Sequence, residues 1–250
     1  MKRFTSIVIT GASSGIGEAL AVDYAGPGIA LALTGRDRER LDGVAAACRA
    51  RGATVVAETV DVVDRAAFAD WLVAFDDAHP VDLVIANAGV SIDKDNSSLG
   101  DFSIIRKTFD INVGGVLNTV EPLLPRLQAR RRGQIGIVSS LAGFIGLPYS
   151  ASYNASKAAV RVWGESIRYV LRKDGIGVSV ICPGFVVSRI TASAPFPMPF
   201  MMSGAKASAI IRAGLARDRP RIAFPFPTKA AVWLGQVLPG RLTARLLGAA

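Results

Sequence analysis

A tyrosine and a lysine four residues apart, Tyr153 and Lys157, are the residues in this sequence best suited to chemistry. Residues at i and i+4 share one face of an α-helix, so the phenol and the ammonium can reach the same small volume. A free tyrosine titrates near pH 10, and a cation held nearby lowers that pKa. Ser140, upstream of the tyrosine, could hold a substrate oxygen while Tyr153 exchanges a proton with it. The pattern predicts an acid/base centre; the alternative is an ordinary helix pair with a solvated amine.

A glycine-rich turn near the N-terminus supplies a second functional signal. Residues 5–10 (TSIVIT) form a β-branched apolar run typical of a strand buried on both faces, and residues 18–25 have a helical pattern. Between them lies the turn Gly11-Ala12-Ser13-Ser14-Gly15-Ile16-Gly17. Glycines let the backbone turn tightly and approach a phosphate, while free N–H groups and the positive helix end point at one spot. The order strand, turn, helix therefore favours a dinucleotide site, although the spacing is not the usual G-x-G-x-x-G.

Strand-like and helix-like segments alternate along the rest of the chain. The sequence predicts further strands at residues 29–34, 54–60, 83–86, 135–138 and 178–182. It predicts helices at residues 37–51, 64–77, 103–131 and 152–173, with a kink or break at Pro122 and Pro125. Such alternation predicts an α/β fold, a doubly wound parallel sheet of about seven strands with helices on both faces.

Several polar or turn-forming positions come directly after predicted strands. They are the glycine turn, Asp61, Asn87, Ser140 and Pro183. Ligands of parallel sheets bind beyond the carboxyl ends of the strands, so these residues should converge on one edge.

Composition limits the other classes of function. The chain has 250 residues, half of them apolar, and a mean hydropathy of +0.36, which suits one domain over residues 1–250. No apolar run approaches a membrane span or a signal peptide, so a cytoplasmic protein is expected. Cys48 and Cys182 lack C-x-x-C neighbours and are predicted to be reduced core thiols without a metal site. His79, the only histidine, stands before Pro80 in a predicted turn, so we expect no histidine base and no Ser-His pair.

Together these motifs make the chain resemble the short-chain dehydrogenase/reductase family, in its common subfamily of about 250 residues, over roughly residues 5–190. The matching elements, in the family's order, are Thr10-Gly11-x-x-x-Gly15-x-Gly17, Asp61-Val62, Asn87-Ala88-Gly89, Asn112, Ser140, Tyr153-x-x-x-Lys157 and Pro183-Gly184. The resemblance implies a single Rossmann-like domain and a nicotinamide-dependent oxidoreductase acting on an alcohol/carbonyl pair. It also implies a homodimer or homotetramer.

The resemblance assigns expected roles to these residues. Tyr153 would be the acid/base, and Lys157 would bind the nicotinamide ribose and depress the tyrosine pKa. Ser140 would polarise the carbonyl, with Ser139 structural, and Asn112 would anchor a water relay to Lys157. The remaining residues would contact the cofactor: the turn residues Gly11, Ser13, Ser14, Gly15, Ile16 and Gly17, then Arg36, Asp61, Val62, Asn87, Ala88, Gly89, Pro183, Gly184 and Ser188.

The end of the second predicted strand bears on the choice of cofactor. An acidic residue there would suit the ribose of NAD, whereas an arginine suits the 2′-phosphate of NADP. The chain has Gly35-Arg36, and a guanidinium presents a fork matched to phosphate oxygens. We therefore expect NADP(H), with NAD(H) as the alternative because Asp37 follows and could repel a phosphate. Alternatively, Arg36 is only a solvent-exposed residue at the start of the next helix.

The C-terminal part departs most from the family pattern. Residues 188–220 are predicted to form a substrate lid, because residues 194–202 are rich in proline, phenylalanine and methionine, which suits a hydrophobic substrate. A packed structural loop is the alternative.

The C-terminal residues 200–250 are strongly basic, with eight cations against one carboxylate, Asp218. Within them, the basic apolar segment 228–250 could pack on the domain or a partner subunit, or lie on an anionic membrane surface. Nucleic-acid binding is not expected, since the aromatic residues are not interleaved with the cations in any recognised binding module.

A second class of function shares the same fold. A non-catalytic dinucleotide-binding sensor would need the glycine turn but not proton-transfer groups, so the joint presence of Asn112, Ser140, Tyr153 and Lys157 favours an enzyme. A sugar-nucleotide epimerase, which also uses Y-x-x-x-K, usually needs a larger C-terminal domain than this chain has.

Overall fold

The computed structural model of the chain describes residues 1–92, 101–147, 150–192 and 198–238. Its seven strands are β1 (Ser6–Thr10), β2 (Ala30–Thr34), β3 (Thr54–Glu58), β4 (Leu83–Ala86), β5 (Gly133–Val138), β6 (Ile176–Pro183) and β7 (Arg221–Phe224). The α-helices are α1 (Gly15–Tyr24), α2 (Arg38–Ala50), α3 (Arg65–Ala78), α4 (Phe102–Phe109), α5 (Gly115–Val120), α6 (Leu124–Arg130), α7 (Ala151–Leu171), α8 (Arg189–Ala192), α9 (Gly204–Ala216) and α10 (Phe226–Val237).

All seven strands belong to one parallel sheet in the order β3-β2-β1-β4-β5-β6-β7. The strand order reverses between β1 and β4, because the chain crosses from one half of the sheet to the other there. A crevice forms at such a reversal, outside the carboxyl ends of the strands. The predicted doubly wound, Rossmann-like α/β fold is confirmed.

The central strands are buried on both faces because their alternate side chains enter two different cores. In β1, Ile7 and Ile9 join a cluster with α1, α2 and α9, whereas Val8 faces a second cluster with α3, α5, α6 and α7. The same alternation holds in β4, where Val84 faces away from Leu83 and Ile85. This two-sided burial explains why the strands are continuous apolar runs in the sequence.

The predicted helix at 103–131 is divided into several pieces. α4 leads into a π-helical turn at Asp110–Gly114, then α5, and α6 follows after a turn. Pro125 stands in the first turn of α6, where its missing N–H costs no helical hydrogen bond. The predicted break near the two prolines is thus confirmed, while the π-helical turn, which contains Asn112, has no signal in the sequence.

The chain after β6 is more regular than its sequence suggests. α9 buries Ala207, Ile211 and Leu215 against α1, and Ser208 Oγ donates a 2.8 Å hydrogen bond to Asp23. β7, which was not located from the sequence, pairs with β6 through residues 180–183 and 221–224. Residues 204–216 therefore form a packed helix of the domain.

Within the described ranges, no helix is long and apolar enough to cross a bilayer. Cys48 and Cys182 are free and buried, as predicted, and burial raises the pKa of Cys48 to about 11 and that of Cys182 to about 12. Over the same residues, no group of three or more His, Cys, Asp or Glu side chains is placed to hold a metal ion.

Candidate active site

A cleft of about 690 Å³ opens at the carboxyl edge of the sheet, where the strand order reverses. The predicted site residues that line it are Gly11, Ser13, Ser14, Gly15, Ile16, Arg36, Asp61, Val62, Asn87, Ala88, Gly89, Ser140, Tyr153, Lys157, Pro183, Gly184 and Ser188. Gly17 and Asn112, which were also predicted to belong to the site, do not line the cleft. The tertiary structure therefore gathers residues from most of the chain at one edge, as the motif positions predicted.

The glycine turn between β1 and α1 has room only for glycine at its key positions. Gly11 and Gly15 have φ angles of +65° and +63°, a region that side chains with a Cβ rarely adopt. A Cβ at Gly11 would lie 2.9 Å from Cα of Ala88, and one at Gly17 would overlap the Gly11 carbonyl oxygen. The turn is thus held tight, with the N-terminus of α1 directed at the cleft, which suits an anion.

Residues after β4 brace this turn from the neighbouring strand. Asn87 Nδ2 donates hydrogen bonds to the carbonyl oxygens of Thr10, at 2.8 Å, and Gly11, at 3.2 Å. The backbone N–H groups of Asn87 and Ala88 both donate to Thr10 Oγ1 at 2.9 Å. The Asn-Ala-Gly motif therefore joins the two strands across the point where the sheet order reverses.

Gly89, Asn112 and Lys157 meet beneath the cleft. A Cβ at Gly89 would lie 3.1 Å from both Asn112 Oδ1 and Lys157 Nζ. Asn112 is completely buried; its Oδ1 accepts a 2.8 Å hydrogen bond from Val90 N–H, and its Nδ2 donates to the Val90 carbonyl and to Ser156 Oγ. Asn112 thus ties the segment after β4 to α7, beside the lysine.

Lys157 is buried and lines the cleft. Its Nζ donates a 2.9 Å hydrogen bond to the Val138 carbonyl at the end of β5. Burial lowers the pKa of Lys157 to about 8, because the surrounding protein solvates an ammonium poorly. Ser139 Oγ donates to the Lys157 carbonyl at 2.7 Å, which anchors the backbone of α7 and agrees with a structural role for Ser139.

Ser140 and Tyr153 both line the cleft, with their side chains close enough to interact. Burial raises the pKa of Tyr153 above its usual value, and the interaction with Ser140 opposes that rise. Lys157 Nζ lies 5.8 Å from the centroid of the tyrosine ring. The expected depression of the tyrosine pKa by Lys157 is therefore not found in the polypeptide by itself, since at this distance burial dominates.

Two arginines follow β2, one exposed to the cleft and one in an ion pair. Arg36 is exposed, lines the cleft and has no ion-pair partner among the described residues. Asp37, whose carboxylate was expected to repel a phosphate, forms a 2.6 Å ion pair with Arg40. Its side chain also caps the N-terminus of α2. Ser13 lies beside Gly35, with its Oγ 2.8 Å from the place a Cβ would occupy. The local charge facing the cleft is positive.

The positions after β3 and β6 form the cleft's two ends. Asp61 is exposed and accepts a hydrogen bond from Val63 N–H, while Val62 is buried against Gly115. Beyond β6, Gly184 N–H donates to the Phe224 carbonyl at 2.7 Å. Ser188 reaches back to the glycine turn, its Cβ 2.8 Å from the place a Cβ on Gly15 would occupy.

Further cleft residues could not be identified from motifs. They include Arg40, Val90, Ile111, Val186, Arg189 and Thr191. The apolar ones resemble any core residue in the sequence, and Arg40 resembles a surface position of a helix. Arg40 is distinctive only in three dimensions, where its buried Nε has no hydrogen-bond partner within the described part of the chain.

The residues present fit a dinucleotide. Positive-φ glycines and the α1 N-terminus form a cradle that a Cβ would fill, and Arg36 supplies charge at one end. Tyr153, Ser140 and Lys157 form a polar cluster at the β5 side of the same cleft. A phosphate-accepting cradle joined to an acid/base cluster is the site of a dinucleotide-dependent oxidoreductase.

Comparison with known proteins agrees with this class. The family model for short chain dehydrogenases matches residues 5–196. An "Uncharacterized oxidoreductase" of Myxococcus xanthus is 37% identical over 96% of this chain and 94% of its own length. Another of Mycobacterium tuberculosis is 35% identical over 96% of each chain. A short-chain dehydrogenase from Sphingobium yanoikuyae in complex with NADPH superposes with a TM-score of 0.81 at 25% identity, covering 94% of this chain and 97% of that one.

The chain belongs to the short-chain dehydrogenase family. It is an NAD(P)-dependent oxidoreductase, a class that the sequence motifs, the fold and the cleft all indicate.

Proposed function

We propose that the protein is an NADP-preferring enzyme that interconverts a carbonyl and a secondary alcohol on an apolar substrate, with Tyr153 as the acid/base. The observation that carries this is the placement of Ser140, Tyr153 and the buried Lys157 ammonium together in the lining of one cleft. A binding module would have no need of a buried ammonium, which is costly to remove from water.

Each member of the cluster has a defined task in this proposal. The Tyr153 hydroxyl donates its proton to the substrate oxygen during reduction and takes it back during oxidation. Ser140, whose Oγ is held by the N–H of Ala142 at 3.1 Å, directs its own hydrogen bond at that oxygen. Both groups lie on rigid elements, the end of β5 and the first turn of α7, so the geometry is set before a substrate arrives.

Lys157 would hold the cofactor and promote ionisation of the phenol. An ammonium has three donors, and the described residues accept one of them, at the Val138 carbonyl. The other two are left for the nicotinamide ribose hydroxyls and, through them, for the Tyr153 oxygen. The bound nicotinamide supplies or accepts the hydride.

Three features of the β2 end support NADP over NAD. Arg36 lines the cleft with its guanidinium unpaired among the described residues, Ser13 lies beside the preceding Gly35, and Arg40 forms an ion pair with Asp37. A 2′-phosphate placed here would meet a net positive charge, and arginine can bind it with two parallel hydrogen bonds.

Replacing Arg36 with alanine should raise the KM for NADPH by about 10- to 100-fold, because a hydrogen bond to a charged group contributes about 1.5–3 kcal/mol. The KM for NADH should change little, since NADH has no 2′-phosphate. Initial rates with each cofactor measure both values. Arg38→Ala is the matched control, because Arg38 is an exposed arginine two residues further along, at the start of α2, but pairs with Asp42 and Glu58. An equal loss with both cofactors would contradict the assignment.

An apolar substrate is favoured by the residues near the reacting cluster. Val90, Ile92 and Val186 line the cleft, and Phe200 is 60% exposed. Met202 N–H donates to the Phe185 carbonyl at 3.0 Å, so the stretch containing Phe200 is attached beside Val186. Because α9 begins at Gly204, we restrict the proposed substrate lid to residues 188–203; positions 193–197 lie outside the described residues.

We also propose that the protein is a homodimer or homotetramer. Phe102 on α4, Leu117 on α5 and Val162 on α7 are exposed apolar side chains on the helices where the family resemblance places subunit contacts. Light scattering in solution measures the mass directly.

The proposed activity is tested by following NADPH oxidation with a panel of ketones and aldehydes of increasing apolar bulk. We expect turnover that increases with apolar bulk and is absent with charged substrates. NADPH binding without turnover on any member would instead favour a dinucleotide sensor of the same fold.

A further inference from the structure

Helix α10 (Phe226–Val237) has two faces with different surroundings. One face packs on the domain: Thr228 and Val232 are partly buried, and Gly235 lies against Ile145. These positions recur with helical spacing and therefore lie on one side of the helix. That side is the part of α10 that the fold uses for packing.

The opposite side of α10 is an exposed apolar stripe, defined by Phe226, Ala230, Trp233, Leu234 and Val237. These residues recur at intervals of three and four, which is the spacing of one helix face. Phe226 is 76% exposed and Trp233 65% exposed, with Leu234 and Val237 also more than half exposed. Isolated apolar residues on a surface are ordinary, but a continuous stripe of this kind marks an interaction surface.

The charge of this region indicates what covers the stripe. Lys229 is the only charged residue of α10, and it is exposed. From Phe226 to the end of the chain the sequence has three cations, Lys229, Arg241 and Arg245, and no acidic residue. A second copy docked on the stripe would add another Lys229 to this surface, whereas anionic lipid headgroups would complement the cation.

We propose that the α10 stripe docks the protein on the surface of an anionic lipid bilayer. No helix of the described residues, including α10 with its 12 residues, is long and apolar enough to span a bilayer. α10 would therefore lie in the membrane interface with its apolar face towards the lipid. Trp233 suits this position, because an indole has an apolar body and an N–H that prefers the headgroup region. This docking is independent of which substrate the enzyme takes.

The stripe is connected to the wall of the active-site cleft. α10 starts directly after β7, whose Phe224 carbonyl accepts the hydrogen bond from Gly184 N–H. Further along, Gln236 Nε2 donates a 2.7 Å hydrogen bond to the Phe144 carbonyl, in the turn Leu141–Phe144 that follows Ser140. Docking through α10 would therefore hold the carboxyl edge of the sheet near the bilayer, from which an apolar substrate could enter.

Co-sedimentation of the full chain with vesicles tests the proposal. Binding is expected to phosphatidylcholine vesicles that contain phosphatidylglycerol, weakened by high salt, and not to phosphatidylcholine alone. The double variant Trp233→Ser/Leu234→Ser should lower the partition coefficient by at least about tenfold, since two apolar side chains that would enter the lipid interface are lost. Tyr169→Ser/Val170→Ser on α7 is the matched control, because these residues are adjacent, aromatic and aliphatic, and 83% and 58% exposed.

A spectroscopic readout separates docking from unfolding. Tryptophan emission should shift to shorter wavelength on adding the anionic vesicles, and Trp233→Phe should remove that shift while keeping the protein bound. Circular dichroism and light scattering check that each variant is folded and of unchanged mass. The proposal is overturned if the stripe variant binds as the wild type does, or if binding is equal to neutral vesicles. It is also overturned if wild type does not bind and the stripe variant instead loses oligomeric mass, which would make the stripe a subunit interface.

Discussion

Replacing Tyr153 with phenylalanine is expected to lower kcat by about 10²- to 10⁴-fold, the usual contribution of a positioned acid/base. The ring and its packing stay, while the hydroxyl that interacts with Ser140 is lost. Since no other phenol lines the cleft among the described residues, no group can take over the proton transfer. The loss should be similar in both directions of the reaction, because the same proton moves each way.

Cofactor affinity distinguishes this chemical loss from a damaged fold. The Kd for NADPH, measured by fluorescence titration, should change by less than about threefold, because the cradle does not depend on the hydroxyl. Tyr169→Phe makes the same substitution at a tyrosine that is 83% exposed on the same helix, and it should leave kcat unchanged. A Tyr153→Phe enzyme with full activity would refute the proposed mechanism.

Replacing Lys157 with methionine is expected to inactivate the enzyme and yet stabilise its fold at neutral pH. Burial lowers the pKa of Lys157 to about 8, from an ordinary value of 10.5. A shift of this size corresponds to about 3 kcal/mol of destabilisation while the ammonium is present. Loss of the hydrogen bond from Lys157 to the Val138 carbonyl costs about 1 kcal/mol and so offsets part of the gain from removing the buried ammonium. The net gain in the free energy of unfolding should be about 2 kcal/mol at pH 7.

The pH dependence follows from the sign of the shift. A lysine whose pKa is lowered on folding destabilises the folded state fully below pH 8, where both states are charged. The cost declines as pH rises from about 8 to 10.5, because the folded state releases its proton first. The stability advantage of Lys157→Met over wild type should therefore disappear across this interval, and urea unfolding at both ends measures it.

Lys206→Met serves as the control for this measurement, because Lys206 is exposed at the start of α9. Its effect on stability should be small at either pH. A gain for Lys157→Met that is the same at both pH values would mean that side-chain packing, and not the charge, is responsible. A loss of stability at pH 7 would show that the ammonium has partners strong enough to outweigh its burial.

The sequence predicted the fold well because its central strands are buried on both sides. Runs such as residues 5–10 and 83–86 are continuously apolar, and each is followed by a turn with a specific residue requirement. β7 was not located in advance because Arg221–Phe224 is short and has only two buried residues. α9 was placed within a lid because its small side chains look unremarkable until they are packed against α1.

The proposed acid/base residues and the glycine cradle could be selected from the sequence alone, since such chemistry needs particular residue types at particular spacings. Those spacings are local, and parallel strands bring their ends to one edge without further information. Only the tertiary structure decided the electrostatics. Asp37 is neutralised by Arg40, the pKa of Tyr153 rises rather than falls, and one side of α10 is left uncovered. Each of these depends on burial and on distances between side chains, which residue order does not specify.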